Sequence, residues 1–234
     1  MKLTVIFLGV FTFALLSSFT LSKEKTMQLY PAIIEYIKVA EKGIASIPAD
    51  RKEALDSIAE YAKRKLSAGK EANLVFICTH NSRRSHTAQL WAAAATAYYG
   101  IDGVNCFSGG TEVTAFNMNA VKALTDAGFK IEPVKPGKNT VFESMYGENI
   151  PAITSFSKRY MDAPNPTSNF AAIMTCSHAD ESCPFVTGAD GRIAVPYDDP
   201  KAADGTPQQD AVYKERCLQI ATEVLYVFAQ LKKN

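Results

Sequence analysis

The chain has 234 residues, 47% of them hydrophobic and 21% charged, with a formal net charge of +1. That apolar share supports a packed core and excludes a disordered chain, and the near-zero charge excludes the broad basic face of a nucleic-acid binder. Affinity for an anionic ligand must therefore come from a local arrangement of groups.

The chain opens with Lys2, an apolar run over 3–16, then Ser17, Ser18 and a polar stretch over 23–26. A basic start, a short apolar stretch and small residues before a possible cut after Ser22 predict a secretory signal or uncleaved anchor over residues 1–22. The run is short for a membrane-spanning helix. Cleavage implies an exported protein; a true start at Met27 implies a cytoplasmic one. Membrane contact is expected only through this segment, which stands outside the fold.

Residues 27–70 read as a helical hairpin. Ile33, Ile37, Ala40 and Ile44 recur at helical spacing, and Leu55, Ile58, Ala62 and Leu66 form a second apolar face. Asp50 and Glu53 match a capping box at the start of the second helix, and Gly69 marks its end.

From residue 73 to 234 the pattern changes to one compact unit. Leu74–Ile77 is a continuous apolar run, as in a strand covered on both faces. A helix is expected from about Arg84 to Tyr99, with Leu90, Trp91 and Ala94 inward and Gly100 as its stop. Then come a strand over Val104–Ser108, a turn at Gly109–Gly110, and a helix over Asn117–Ala127 closed by Gly128. Residues 133–168, rich in Pro, Gly and Asn, read as a long irregular insertion. Strands follow at Ala171–Thr175 and Ile193–Val195, and a last helix spans about Pro207–Leu231, with Val212, Ile220, Val224, Phe228 and Leu231 on one stripe. Strands alternating with helices predict an α/β fold, a parallel sheet with helices on both faces.

The chemistry concentrates in Cys78-Thr79-His80-Asn81-Ser82-Arg83-Arg84-Ser85, between a buried strand and a helix. Backbone N–H groups of such a loop converge, and the following helix adds its positive end, so a tetrahedral oxyanion fits there. Arg84 can grip two of its oxygens with a planar fork. The same field favours a thiolate on Cys78, placed to attack the central atom of the anion, with Ser85 as a donor to that sulfur. Thr79, His80, Asn81, Ser82, Arg83 and Ser85 are the expected oxyanion-binding residues, and no metal is called for.

The five cysteines, an odd count, do not form a closed disulfide framework. Cys106 reads as a buried strand residue and Cys217 as part of the last helix's stripe. His86 reads as a surface or hydrogen-bonded residue.

The strand, CTHNSRRS loop and helix resemble the low-molecular-weight protein tyrosine phosphatases and the thioredoxin-coupled arsenate reductases, at Cys78, Asn81, Arg84 and Ser85. Phe107-Ser108-Gly109-Gly110 and Tyr197-Asp198-Asp199-Pro200 add to the likeness, which covers about residues 73–231. His80 stands where the family usually has Gly, and Arg83 where a second loop cysteine is common. The resemblance implies a four-stranded parallel sheet with flanking helices, no bound cofactor, and Asp199 (or Asp198) as general acid. It offers two activities. In an arsenate reductase, Cys176 and Cys183 of the CSHADESC stretch would relay a disulfide from Cys78 to a thioredoxin-like dithiol, which for an exported protein would have to be periplasmic. In a phosphatase acting on phosphotyrosine or small phosphate esters, Cys78, Arg84 and Asp199 would suffice. The cysteine pair itself is also open to a static disulfide or to metal binding with His178.

Overall fold

The structure, a computed structural model, describes residues 27–182 and 185–232. The expected signal over 1–22, and Cys183, lie outside the described residues. No helix among the described residues is long and apolar enough to cross a membrane.

The described chain begins with a two-residue strand β1 (Gln28–Leu29) and helix α1 (Pro31–Gly43), which buries Ile33, Ile37 and Ala40. Helix α2 (Ala49–Ser67) follows a 3-10 turn. Its N-cap is Pro48, and no side chain caps it; Asp50 already lies in the first turn, so the expected capping box does not form. Strand β2 (Ala72–Cys78) enters the loop over residues 79–83, and helix α3 (Arg84–Tyr99) leaves it. Gly100 ends α3 in a left-handed conformation at φ 62° that suits a residue without Cβ.

Strand β3 (Val104–Gly110) and helix α4 (Met118–Asp126) come next, with the Asn117 side chain capping α4 through the N–H groups of Asn119 and Ala120. Gly109 and Gly110 are the last residues of β3, where a turn was expected. A Cβ on Gly109 would sit 2.3 Å from Tyr160 Cα, and one on Gly110 2.6 Å from the Glu112 carbonyl and 2.7 Å from Asn81 N. These glycines serve close backbone approach.

The segment expected to be irregular is a second small sheet. Strands β4 (Lys130–Lys135), β5 (Val141–Met145) and β7 (Ile153–Ser155) pair antiparallel in the order β4-β5-β7. Between the last two, β6 (Gly147–Glu148) pairs with β1. The alternation is short, with Phe142 and Ser144 buried and Glu143 exposed, and the prolines and Gly137 around it mask its period.

Strand β8 (Phe170–Met174), the short helix α5 (Ser177–Ser182), strand β9 (Ala189–Ala194) and helix α6 (Gln209–Ala229) complete the chain. The main sheet is parallel, ordered β3-β2-β8-β9. The connection after β2 runs outward to β3, and the chain then crosses to β8 on the other side. This makes the carboxyl ends of β2 and β8 a topological switch point, where such sheets hold ligands.

The two faces of the sheet are unequal. Leu74 and Phe76 of β2, with Ile173 of β8, join one large core with α1, α2, α3, α4 and α6. Val75 and Ile77, with Phe170, Ala172 and Met174, form a smaller core closed by Cys176, Ala179 and Val186. Helices were expected on both faces; among the described residues the second face has only α5. Trp91 anchors the large core. It stacks on Tyr36 of α1, meets Phe129 edge-on at 5.0 Å, and donates its indole N–H to Cys217 Sγ at 3.3 Å. Val212, expected on the α6 stripe, is half-buried, and Tyr213 takes the inward place.

The N-terminal hairpin is welded to this core. Arg51 of α2 makes two hydrogen bonds to Glu223 Oε2 of α6, at 2.9 and 2.7 Å, with side chains 17% and 5% exposed. The same guanidinium lies over the Tyr197 ring, just ahead of the Asp-Pro loop.

Candidate active site

Cys78 is the last residue of β2 and is buried. Its sulfur lies 3.1 Å from Ser85 Oγ, in the first turn of α3. Asn81 holds the serine from its other side. Asn81 Oδ1 accepts the Lys158 backbone N–H at 3.0 Å, so the other end of the amide, a donor, gives to Ser85 Oγ at 2.9 Å. The serine oxygen thus accepts from Asn81, which leaves its hydrogen free to be given to the Cys78 sulfur when that sulfur is a thiolate, an acceptor only. Asn81 itself is fully buried, with φ at +43°, a left-handed conformation that asparagine tolerates better than most residues.

The loop's strained position is therefore Asn81, and His80 has no positive φ. That is why His80 can stand where glycine was expected. Its ring faces outward, 3.3 Å from Glu112, while its carbonyl accepts from Ser157 Oγ at 2.8 Å and Thr114 Oγ1 at 3.3 Å. Ser82 Oγ donates to the Ala115 carbonyl at 2.7 Å, so its hydroxyl braces the loop from outside.

The two arginines converge on one acid. Arg84 donates to Asp199 Oδ2 and to the Tyr197 carbonyl, both at 2.8 Å, and Arg83 reaches the same Oδ2 at 3.5 Å. Both arginine side chains are only 11% exposed, so Arg83 is not a solvated helix-start residue. The Nε atoms of both are buried without a protein partner. Asp199 also accepts from Lys201 N at 3.1 Å, capping a short 3-10 turn that begins at Pro200. Asp198 makes no bond to the loop: its side chain is 95% exposed, 3.5 Å from Arg216. Of the two candidate acids, Asp199 is the one brought to the loop.

Cys176 follows β8 by two residues, and β8 is the neighbour of β2, with Ile77 paired to Met174. Its thiol is free and buried. The sulfur accepts from Ala179 N at 3.3 Å and lies 3.4 Å from Thr79 Oγ1 of the nucleophile loop. Thr79 Oγ1 is in turn 3.2 Å from His178 Nδ1. An open cleft of about 570 Å³ joins these groups, lined by Thr79, His80, Arg84, Cys176, His178 and Asp199 among others.

Some of the architecture behind the loop had no signal in the sequence. Ser157 and Lys158 clamp the loop through His80 and Asn81, and the Lys158 carbonyl accepts from Gly110 N at 2.8 Å. The Lys158 side chain is buried too, which pushes its ammonium down to about 8. His86 is fully buried, not on the surface. It bonds Ser108 Oγ at 3.3 Å and stacks on Phe116, and burial followed by the nearby Lys158 charge holds it well below the ordinary histidine range. Cys106 and Cys217 stand apart from the loop, and burial pushes their thiols up to about 12 and about 11.

A cysteine and an arginine on a strand-to-helix loop at the carboxyl end of a parallel sheet form an arrangement able to hold an oxyanion. No family model matches the chain. Curated relatives do. The arsenate reductase of Bacillus licheniformis is 28% identical over 160 residues, covering 67% of this chain and 94% of the relative. That of Bacillus cereus is 29% identical over 127 residues, covering 54% and 75%. The chain is thus similar in sequence to arsenate reductases over half to two thirds of its length. Among solved structures, a YwlE mutant from Bacillus subtilis aligns at 16% identity and a TM-score of 0.47, covering 70% of this chain and 100% of that one. The thioredoxin-dependent arsenate reductase Cg_ArsC1' of Corynebacterium glutamicum aligns at 16% and a TM-score of 0.34, covering 80% and 81%.

Proposed function

We propose that this enzyme reduces arsenate to arsenite through a cysteine relay. The observation that carries the reading is the position of Cys176, a free thiol whose sulfur touches Thr79, the residue next to Cys78. A phosphatase has no use for a second thiol there. The curated relatives, which are arsenate reductases, support the same choice.

In this mechanism the Cys78 thiolate attacks arsenic, and an oxygen departs as water with a proton from Asp199. Arg84 and the loop's N–H groups, from Thr79 to Ser85, hold the remaining oxygens. Cys176 then attacks the Cys78 sulfur. The sulfur–arsenic bond breaks with its electron pair left on arsenic, so arsenite leaves and a Cys78–Cys176 disulfide remains. Cys183 attacks Cys176, freeing Cys78, and a thioredoxin-like dithiol reduces the Cys176–Cys183 disulfide. The protein needs no bound cofactor in this scheme; its electrons come from the external dithiol.

The test is arsenite release by the purified chain with thioredoxin, thioredoxin reductase and NADPH. Arsenate-dependent NADPH consumption, lost in both Cys176→Ser and Cys183→Ser, is the expected result. Brisk aryl-phosphate hydrolysis without arsenate turnover, unchanged in those two variants, would make the enzyme a phosphatase.

A further inference from the structure

The relay leaves one requirement open. Cys176 attacks only as a thiolate, so its thiol proton must pass to a base before the relay can run. Cys176 is buried, and no lysine or arginine bonds its sulfur among the described residues. Two contacts reach it: the Ala179 N–H at 3.3 Å and the Thr79 hydroxyl at 3.4 Å. The hydroxyl is neither a base nor a charge, but its other neighbour is His178 Nδ1 at 3.2 Å.

We propose that His178 is the general base that deprotonates Cys176, working through the Thr79 hydroxyl; the assignment rests on the reductase reading above. With its proton on Nε2, the imidazole accepts at Nδ1. Thr79 Oγ then donates to His178 and accepts from the Cys176 thiol. Transfer moves the thiol proton to Thr79 and the threonine proton to Nδ1. The chain of donors now runs the other way, from imidazolium to hydroxyl to thiolate, so the same three atoms that remove the proton also stabilise the product. When the thiolate attacks Cys78, arsenic takes the electron pair of the broken bond. The proton held on His178 is then available to the departing arsenite.

The position of His178 fits the task. It is exposed to the cleft while Thr79 and Cys176 are buried, so the proton has a route to water. The charged groups facing the same cleft are His80 and Arg84 of the loop, Glu112 beyond β3, and Asp198, Asp199 and Lys201 of the Asp-Pro loop. On its own helix, Asp180 is paired with Arg192. None of these makes an ion pair with His178 among the described residues, which leaves Nδ1 facing Thr79.

The test uses the full chain, reduced, with cysteine labelled at Cβ for carbon NMR, and follows Cys176 as a function of pH in the absence of arsenate. His178→Gln keeps a polar side chain but cannot take the proton. The expected result is an upward shift of the Cys176 midpoint by about one pH unit, which is about tenfold less thiolate at neutral pH. Thr79→Val should give the same shift and Thr79→Ser should not. Single-turnover arsenite release should fall about tenfold in step with the lost thiolate. A His178→Gln profile that overlays the parent would overturn the proposal and leave His178 as a surface residue that merely bonds Thr79. The NMR readout is independent of arsenate. A chain that releases no arsenite but shows the shift refutes the reductase reading alone; a chain that releases arsenite without the shift refutes only the base.

Discussion

Replacing Asn81 with alanine should loosen the nucleophile loop more than any other single truncation in it. The side chain makes two buried hydrogen bonds, to Ser85 Oγ at 2.9 Å and from Lys158 N at 3.0 Å. Leaving their partners unsatisfied costs about 1–3 kcal/mol each. Alanine also inherits a backbone at φ +43°, which adds about 1–2 kcal/mol. The sum, about 3–8 kcal/mol, is a large part of the 5–15 kcal/mol that stabilises a typical domain. Asn81→Gly loses the same bonds without the backbone penalty. It should be more stable than the alanine variant by about 1 kcal/mol, after allowing for glycine's greater freedom in the unfolded chain. Urea unfolding followed by the fluorescence of Trp91, the single tryptophan and fully buried, measures both. An alanine variant within about 1 kcal/mol of the parent would refute the network argument. A glycine variant less stable than alanine would refute the strain argument.

Gly110→Ala should abolish activity, because its Cβ would press on Asn81 N and Thr79 O, both 2.7 Å away; loss of arsenite release with a folded core reports it. Glu223→Ala should cost about 3–5 kcal/mol in urea unfolding by stranding the buried Arg51, whereas Arg51→Met with Glu223→Leu should recover most of that loss. Lys158 is held by burial at about 8, below its unfolded value of 10.5. The unfolded chain therefore binds the extra proton between those values, so stability should rise with pH across that window and lack the corresponding penalty above it. Lys158→Met should flatten the rise, read by unfolding at several pH values. Asp199→Asn should bind phosphate or arsenate at least as tightly, while the first chemical step slows by about 10²–10⁴-fold; weaker anion binding with unchanged chemistry would contradict the role given to this carboxylate.

The parallel sheet and the strand-to-helix loop at Cys78 were legible because each rests on a local pattern. Leu74–Ile77 is apolar without a break, since both faces of β2 are covered, and Gly100 and Asn117 sit where helix ends need them. The small antiparallel sheet was missed because its alternation lasts only about five residues and is broken by Pro133 and Gly137. The glycine pair was misread as a turn because a sequence does not distinguish a glycine that bends the chain from one that admits Tyr160 and the loop backbone. Ser157, Lys158 and His86 were beyond reach for a different reason. Their roles depend on contacts across 77 residues for Ser157 and Lys158, and 22 for His86 to Ser108. His178 had a visible cue, its place two residues after Cys176, but its contact with Thr79 spans 99 residues.

A chain of net charge +1 must concentrate positive charge where an anion lands, and the site does so by holding it against a removable counter-charge. Arg83 and Arg84 are buried cations, and buried cations need a partner. Asp199 supplies it, at 3.5 and 2.8 Å. Each guanidinium still has a buried Nε without a protein partner, so an oxyanion gains a donor that Asp199 does not use. An arriving anion then competes with Asp199 for Arg84 rather than adding a third charge to the cluster. The carboxylate it displaces keeps its bond to Lys201 N and stays at the rim of the cleft. In the proposed reaction a carboxyl group in that position would carry the proton that the departing oxygen requires. In the proposed mechanism one aspartate neutralises the arginines before binding and serves as the acid after it, a role open to Asp199 at the loop and not to Asp198, whose side chain is 95% exposed.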